Sequence, residues 1–157
     1  MQEQLSRFYQ GWDVDQGHLV AIVGPLTPEQ LAIKPAPHMW SLGTLIGHII
    51  SARAWWYHGV MGEGGAEFET YYDRDESDPV TQTPAELASG LVATWQLMSA
   101  CLDRWKPDDL ATICTHPVRG TQMTRQWIIW HVIEHDLVHM GEVLLICGIH
   151  GLAKPDL

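Results

Sequence analysis

Basic residues and cysteines are scarce in this 157-residue chain, and long apolar runs are absent. Lys plus Arg number 9 against 19 Asp plus Glu, a formal charge of -10. Such a surface repels phosphate backbones and anionic headgroups, so neither nucleic acid nor a membrane is an expected partner. No apolar stretch approaches the roughly 18–20 residues that span a bilayer. The opening Met1-Gln-Glu-Gln-Leu-Ser6 has neither the basic start nor the apolar core of a secretory signal. Cys101, Cys114 and Cys147 are odd in number and widely spaced, which argues against a disulfide framework and for a reducing, cytoplasmic setting. With no internal repeat, low-complexity tract or long linker, residues 1–157 are expected to form a single domain.

What is present is a chain able to bury a core, 46% apolar and 18% charged. Two residue types stand out: eight tryptophans and nine histidines. So many imidazoles in an acidic chain raise the question of a metal, since neutral His is the commonest transition-metal ligand.

Pro and Gly punctuate the sequence into helices. A first helix is predicted over Gln4–Val23, stopped by Gly24-Pro25. Thr27-Pro28-Glu29-Gln30 reads as an N-cap opening one short turn, and Pro35 and Pro37 as an extended connector. Ser41 caps a second helix, Leu42 to about Val60; residues 61–82, rich in Gly and acids, read as a long loop. Thr83-Pro84-Ala85-Glu86 is a capping-box pattern and starts a third helix that reaches about Trp105. Residues 107–123 hold two prolines and a Gly and are expected to be irregular or extended. Thr124 then caps a fourth helix to about Cys147, with Gly148 and Gly151 behind it. The expected fold is all-α, a four-helix bundle with long connections.

At about 100° per residue, His131, His135, His139 and Glu142 of the fourth helix fall within an arc of roughly 80°. Ile128, Val132, Val138 and Ile146 lie on or beside that arc, so the ionisable groups interrupt an apolar face. Burying imidazoles and a carboxylate is costly unless something satisfies them, and a divalent metal does so. His residues at i and i+4 can reach one ion. In the second helix, His48 shares the apolar side with Leu45, Ala52 and Trp55, which makes it the natural further ligand. A rival pattern overlaps: His131-Val-Ile-Glu134-His135 spells H-x-x-E-H, in which two His bind zinc and Glu serves as base. Its two wildcards make it weak, and it leaves His139 unexplained. His18, His38, His58, His116 and His150 read as isolated or loop histidines.

Trp40-Ser-Leu-Gly-Thr-Leu-Ile-Gly-His48, followed by Trp55-Trp56, resembles the second-helix motif of the DinB/YfiT-like superfamily, a damage-inducible four-helix family. His135-Asp-Leu-Val-His139-Met-Gly-Glu142 resembles its fourth-helix motif H-x-x-x-H-x-G-[QE], and the likeness extends over nearly the whole chain. The resemblance implies a divalent metal, zinc first with nickel, manganese or iron as alternatives, held by His48, His135 and His139. It also implies a small-molecule substrate, through relatives that are S-transferases using low-molecular-weight thiols, a thiol-dependent isomerase or hydrolases. His131 and Glu142 are then candidates for orienting a ligand or substrate, Glu142 in register to accept the His139 N–H. The alternative is a non-catalytic metal-binding or stress-response module with a structural metal, for which His131 or Glu142 would close a four-ligand shell. Trp55 and Trp56 suit either a substrate pocket or the core, and Arg53 either a solvated face or an anionic substrate. Trp130, Ile133, Leu137, Met140, Gly141 and Leu144 span the side of the fourth helix opposite the histidines, interrupted only by Glu134 and Asp136. A helix apolar nearly all round needs a cover, expected to be a second subunit in a homodimer, with residues 61–82 or the N-terminal segment as the other option.

Overall fold

The computed structural model describes residues 5–72 and 80–152. A 3-10 turn, Leu5–Tyr9, leads into α1 (Gln10–Val23), followed by α2 (Pro28–Leu31), α3 (Leu42–Ala54), α4 (Gly65–Tyr72) and α5 (Pro84–Arg104). A hairpin of β1 (Ile113–Thr115) and β2 (Gln122–Thr124) then runs straight into α6 (Arg125–Ile149). Helices α1, α3, α5 and α6 form a four-helix bundle, with α3 against both α5 and α6. Among the described residues no helix is long and apolar enough to cross a membrane.

Local chemistry sets the helix starts. Ser41 Oγ accepts the Thr44 N–H at 3.2 Å and Thr124 Oγ1 the Trp127 N–H at 3.2 Å. Thr83 and Glu86 form a reciprocal capping box with Pro84 at the first helical position. Helix α3 has no exposed residue, as a central helix of a bundle requires. It continues directly into a π-helical turn, Trp55–Val60, whose wider winding re-aims Trp55 and Trp56. Gly59 is needed there: a Cβ would stand 2.8 Å from Trp55 and Tyr72, whose rings stack at 5.0 Å.

Three predicted segments differ. Residues 61–82, expected to be a loop, contain α4, because the fully buried Phe68 anchors one helical face against Tyr57; residues 73–79 of that segment lie outside the described ones. Residues 107–123 hold a 3-10 turn, Pro107–Ala111, and then most of the antiparallel hairpin, with Cys114 opposite Met123. Gln4, the predicted helix start, lies outside the described residues, and the chain from Leu5 is wound more tightly than an α-helix. The three cysteines are free and buried.

The largest correction concerns Arg53 and Asp136. Arg53 faces neither solvent nor a substrate; it has no exposed surface, and Asp136 is also buried. Arg53 Nε and NH2 lie 2.9 and 2.8 Å from Asp136 Oδ2, and NH1 donates to Gln16 Oε1 at 2.7 Å and the Leu91 carbonyl at 3.3 Å. Trp12 Nε1 donates to the same Asp136 oxygen at 2.8 Å. One ion pair thus touches α1, α3, α5 and α6. Helical periodicity does not reveal this, because both residues read as polar interruptions. The apolar side of α6 is also displaced: Met140 is core, whereas Trp127, Trp130, Leu137, Val138, Leu145 and Ile149 are exposed.

Removing one partner leaves the other charge buried and unpaired. Asp136→Ala is therefore expected to cost about 3–5 kcal/mol of folding stability. Urea unfolding monitored by tryptophan fluorescence measures it; a loss under about 1 kcal/mol, typical of an exposed pair, would refute the buried role.

Candidate metal centre

His48 on α3 and His135 and His139 on α6 converge where the two helices meet. One ring nitrogen from each lies within 4.8 Å of the others. His135 Nε2 and His48 Nε2 are 2.9 Å apart, and the His139 ring centroid is 4.4 Å from that of His135 and 4.9 Å from that of His48. Zinc bound tetrahedrally by nitrogens holds them about 3.3 Å apart; the His48–His135 nitrogen pair stands 2.9 Å apart, and all the candidate ligand atoms lie within 4.8 Å of one another. All three rings are partly buried.

The remaining donors fit the same arrangement. His139 Nδ1 lies 2.6 Å from Glu142 Oε2. A carboxylate there places the proton on Nδ1 and leaves Nε2 as a lone pair, the state a metal ligand needs. His135 Nδ1 is buried without a hydrogen-bond partner. The donor set therefore fits a divalent ion: three imidazole nitrogens face one point, and one of the rings is held in its ligating tautomer.

The other predicted residues fall outside this group. His131 stacks on Trp127 with ring centroids 5.0 Å apart, meets Trp56 edge-on at 4.7 Å, and stands 6.4 Å from the His135 ring. Glu134, the base of the H-x-x-E-H pattern, is exposed and lies 3.8 Å from His131 Nδ1. Among the described residues the cluster has three members, and Glu142 is engaged with His139 rather than standing as a fourth.

The cluster opens on two clefts of unlike character. One, of about 390 Å³, is mostly apolar and lies under the connector before α3, with Met39, Trp40 and Leu145 beside His139. Trp40 also covers His48, ring centroids 4.9 Å apart. The second, of about 510 Å³, runs past His48 and His135 to Trp55, Trp56, Tyr72 and the β-hairpin. Trp55 and Trp56 are thus half-buried cleft walls as well as core neighbours. Sequence reasoning missed His116 and Arg119, which line this cleft from the hairpin turn. The Pro117 and Gly120 beside them mark the turn, but nothing local shows what it faces.

A helical bundle with three converging imidazoles defines the class, and the sequence comparison specifies it. Residues 12–143 match the DinB superfamily, and the chain belongs to that family. A DinB-like protein from Bacillus cereus ATCC 10987 superposes with a TM-score of 0.77 at 23% identity, covering 100% of this chain and 99% of that one. A conserved protein from Enterococcus faecalis gives 0.69 at 17% identity, covering 92% and 95%. A DinB-like protein from Bacillus subtilis gives 0.65 at 16%, covering 91% of each. These likenesses establish the fold. No curated protein matches the chain.

Burial, and then the charges of His139, His48, His131 and Arg53, hold the His135 imidazole far below its usual 6.5, at about 3. Between those values the unfolded chain takes up a proton that the folded, metal-free chain refuses, so stability is complete above 6.5 and falls as pH falls toward 3. The thermal midpoint of chelator-treated protein should drop from pH 7 to pH 4.5, and His135→Gln should flatten the drop. An equal slope in both proteins would contradict the burial.

Proposed function

We propose that the chain is a divalent-metal-dependent enzyme acting on a small molecule, a thiol S-transferase in preference to a hydrolase, with zinc as the expected ion and nickel, manganese or iron as alternatives. The observation that carries this reading is a cluster of three imidazoles, with no fourth protein donor among the described residues, opening on two clefts. A structural site closes its shell with protein ligands, whereas a catalytic one keeps a position for substrate. Two clefts of different lining suit a reaction with two substrates; a hydrolase needs one and water.

When bound, a divalent ion would supply Lewis acidity and lower the pKa of a thiol or water. The protein's own part is to hold His48, His135 and His139 at one point, to fix the His139 tautomer through Glu142, and to shield His48 from bulk water with Trp40. His131 would line the path from the second cleft to His135.

Elemental analysis of natively purified protein should find close to one divalent ion per chain. His48→Ala, His135→Ala and His139→Ala should each remove it, Glu142→Ala should weaken retention about 10–100-fold, and His131→Ala should keep it. The same preparations, screened with several thiols and electrophiles, should show turnover that the three ligand variants abolish. Metal lost from His131→Ala but retained in His139→Ala would overturn the assignment in favour of the H-x-x-E-H pair.

We also propose a homodimer through α6. Trp130, Leu137, Val138, Leu145 and Ile149 form an exposed apolar stripe beside the histidines, and a Cβ on Gly141 would meet nothing within 4 Å. Contiguous apolar surface of this kind marks an interface. Light scattering at micromolar concentration should give twice the chain's mass, and Leu137→Glu should halve it; a monomeric wild-type chain would refute the dimer.

A further inference from the structure

The second cleft ends on the turn between β1 and β2, where two hydrogen-bond donors stand without partners. His116 is 7% exposed. Its Nδ1 accepts the N–H groups of Val118 and Arg119, both at 3.2 Å, which places the neutral ring's proton on Nε2. The ring is clasped edge-on by Trp55 and Trp56, with centroids 5.9 and 5.8 Å away. Among the described residues that Nε2–H has no acceptor, and the Arg119 guanidinium has neither an ion-pair nor a hydrogen-bond partner. Both residues line the cleft that holds His48 and His135.

The described lining of this cleft differs in charge from the molecule as a whole. The chain carries -10 overall, yet among the described residues the cleft walls include the cation Arg119 and four imidazoles and no Asp or Glu. We propose that His116 and Arg119 form a carboxylate-binding subsite, and that the ligand of this cleft is a small organic monocarboxylate with a flat apolar body. One guanidinium fork matches a carboxylate bidentately, with the His116 N–H as a further donor. A single cation beside a neutral ring suits one negative charge rather than a phosphate dianion. Trp55, Trp56 and Tyr72 give the same cleft an aromatic lining for the ligand body, alongside the histidine cluster. As a substrate class, this rests on the metal-enzyme reading above; as a binding site, it stands on the hairpin alone.

The test is titration of the full-length, natively purified protein with benzoate and its neutral isostere benzamide, by calorimetry or saturation-transfer NMR. Benzoate should bind about tenfold or more tightly than benzamide, the scale of a charge-assisted pair. Arg119→Gln should abolish that preference without changing metal content, and Arg119→Lys should restore part of it. Equal binding of the two probes would overturn the proposal. So would a benzoate preference that survives Arg119→Gln but disappears in His48→Ala, which would assign the carboxylate to the imidazole cluster. Inorganic phosphate binding more tightly than benzoate would overturn the choice of anion. An Arg119-dependent preference in protein found to carry no metal would support the subsite while refuting the metal-enzyme reading, so the two failures are distinct.

Discussion

The ion pair between Arg53 and Asp136 is the constraint on which the rest of this structure depends. Both charges are buried, so desolvation must be offset by contacts at fixed positions: a hydrogen bond from Arg53 Nε and an ion-pair contact from its NH2 to Asp136, one hydrogen bond from Trp12, and others to Gln16 and the Leu91 carbonyl. Such a network permits few alternative arrangements of the four helices. It also sets the histidine cluster. His135 is the chain neighbour of Asp136, and His48 stands five positions before Arg53 on α3. A helix rises about 1.5 Å per residue and is stiff over that distance. Fixing Arg53 against Asp136 therefore fixes the height of α3 relative to α6, and the Nε2 atoms of His48 and His135 meet at 2.9 Å as a consequence.

The cluster occupies a border. On α6, Ile128, Val132, Val143 and Ile146 face the core while Trp130, Leu137 and Leu145 face outward, and His131, His135, His139 and Glu142 run along one edge between them. A position fully inside would suppress ionic chemistry, and one fully outside would leave the imidazoles to compete with water. At the edge, His135 is buried enough to stay neutral far below its usual pKa. His139 is close enough to the surface for Glu142 to hold its proton.

The parts of this arrangement that depend on helical period were legible in the sequence. Ser41, Thr83 and Thr124 cap as their neighbours demand, and the spacing of His135 and His139 places both on one arc. The DinB resemblance could be stated from two short motifs, and the match over residues 12–143 agrees with it. Legibility failed where a residue's environment comes from elsewhere in the chain. Arg53 reads as a surface cation because its partner is 83 positions away. Phe68 turns an acidic, glycine-rich segment into α4 only because Tyr57 supplies the surface that buries it. The hairpin is short and has one buried strand position, Cys114, so its alternation is too brief to register.

A division of labour follows from which elements carry which groups. The long helices hold the imidazoles, and rigid, regular elements suit ligands that must keep their positions to a few tenths of an ångström. The groups that line the two clefts come largely from irregular elements instead. Trp55 and Trp56 sit on the π-helical turn, Tyr72 ends α4, Trp40 lies on the connector before α3, and His116 and Arg119 occupy the hairpin turn. These segments can change sequence without disturbing the Arg53–Asp136 pair, because none of them contributes to it. A fold built this way can keep one arrangement of imidazoles while its connections alter what reaches it.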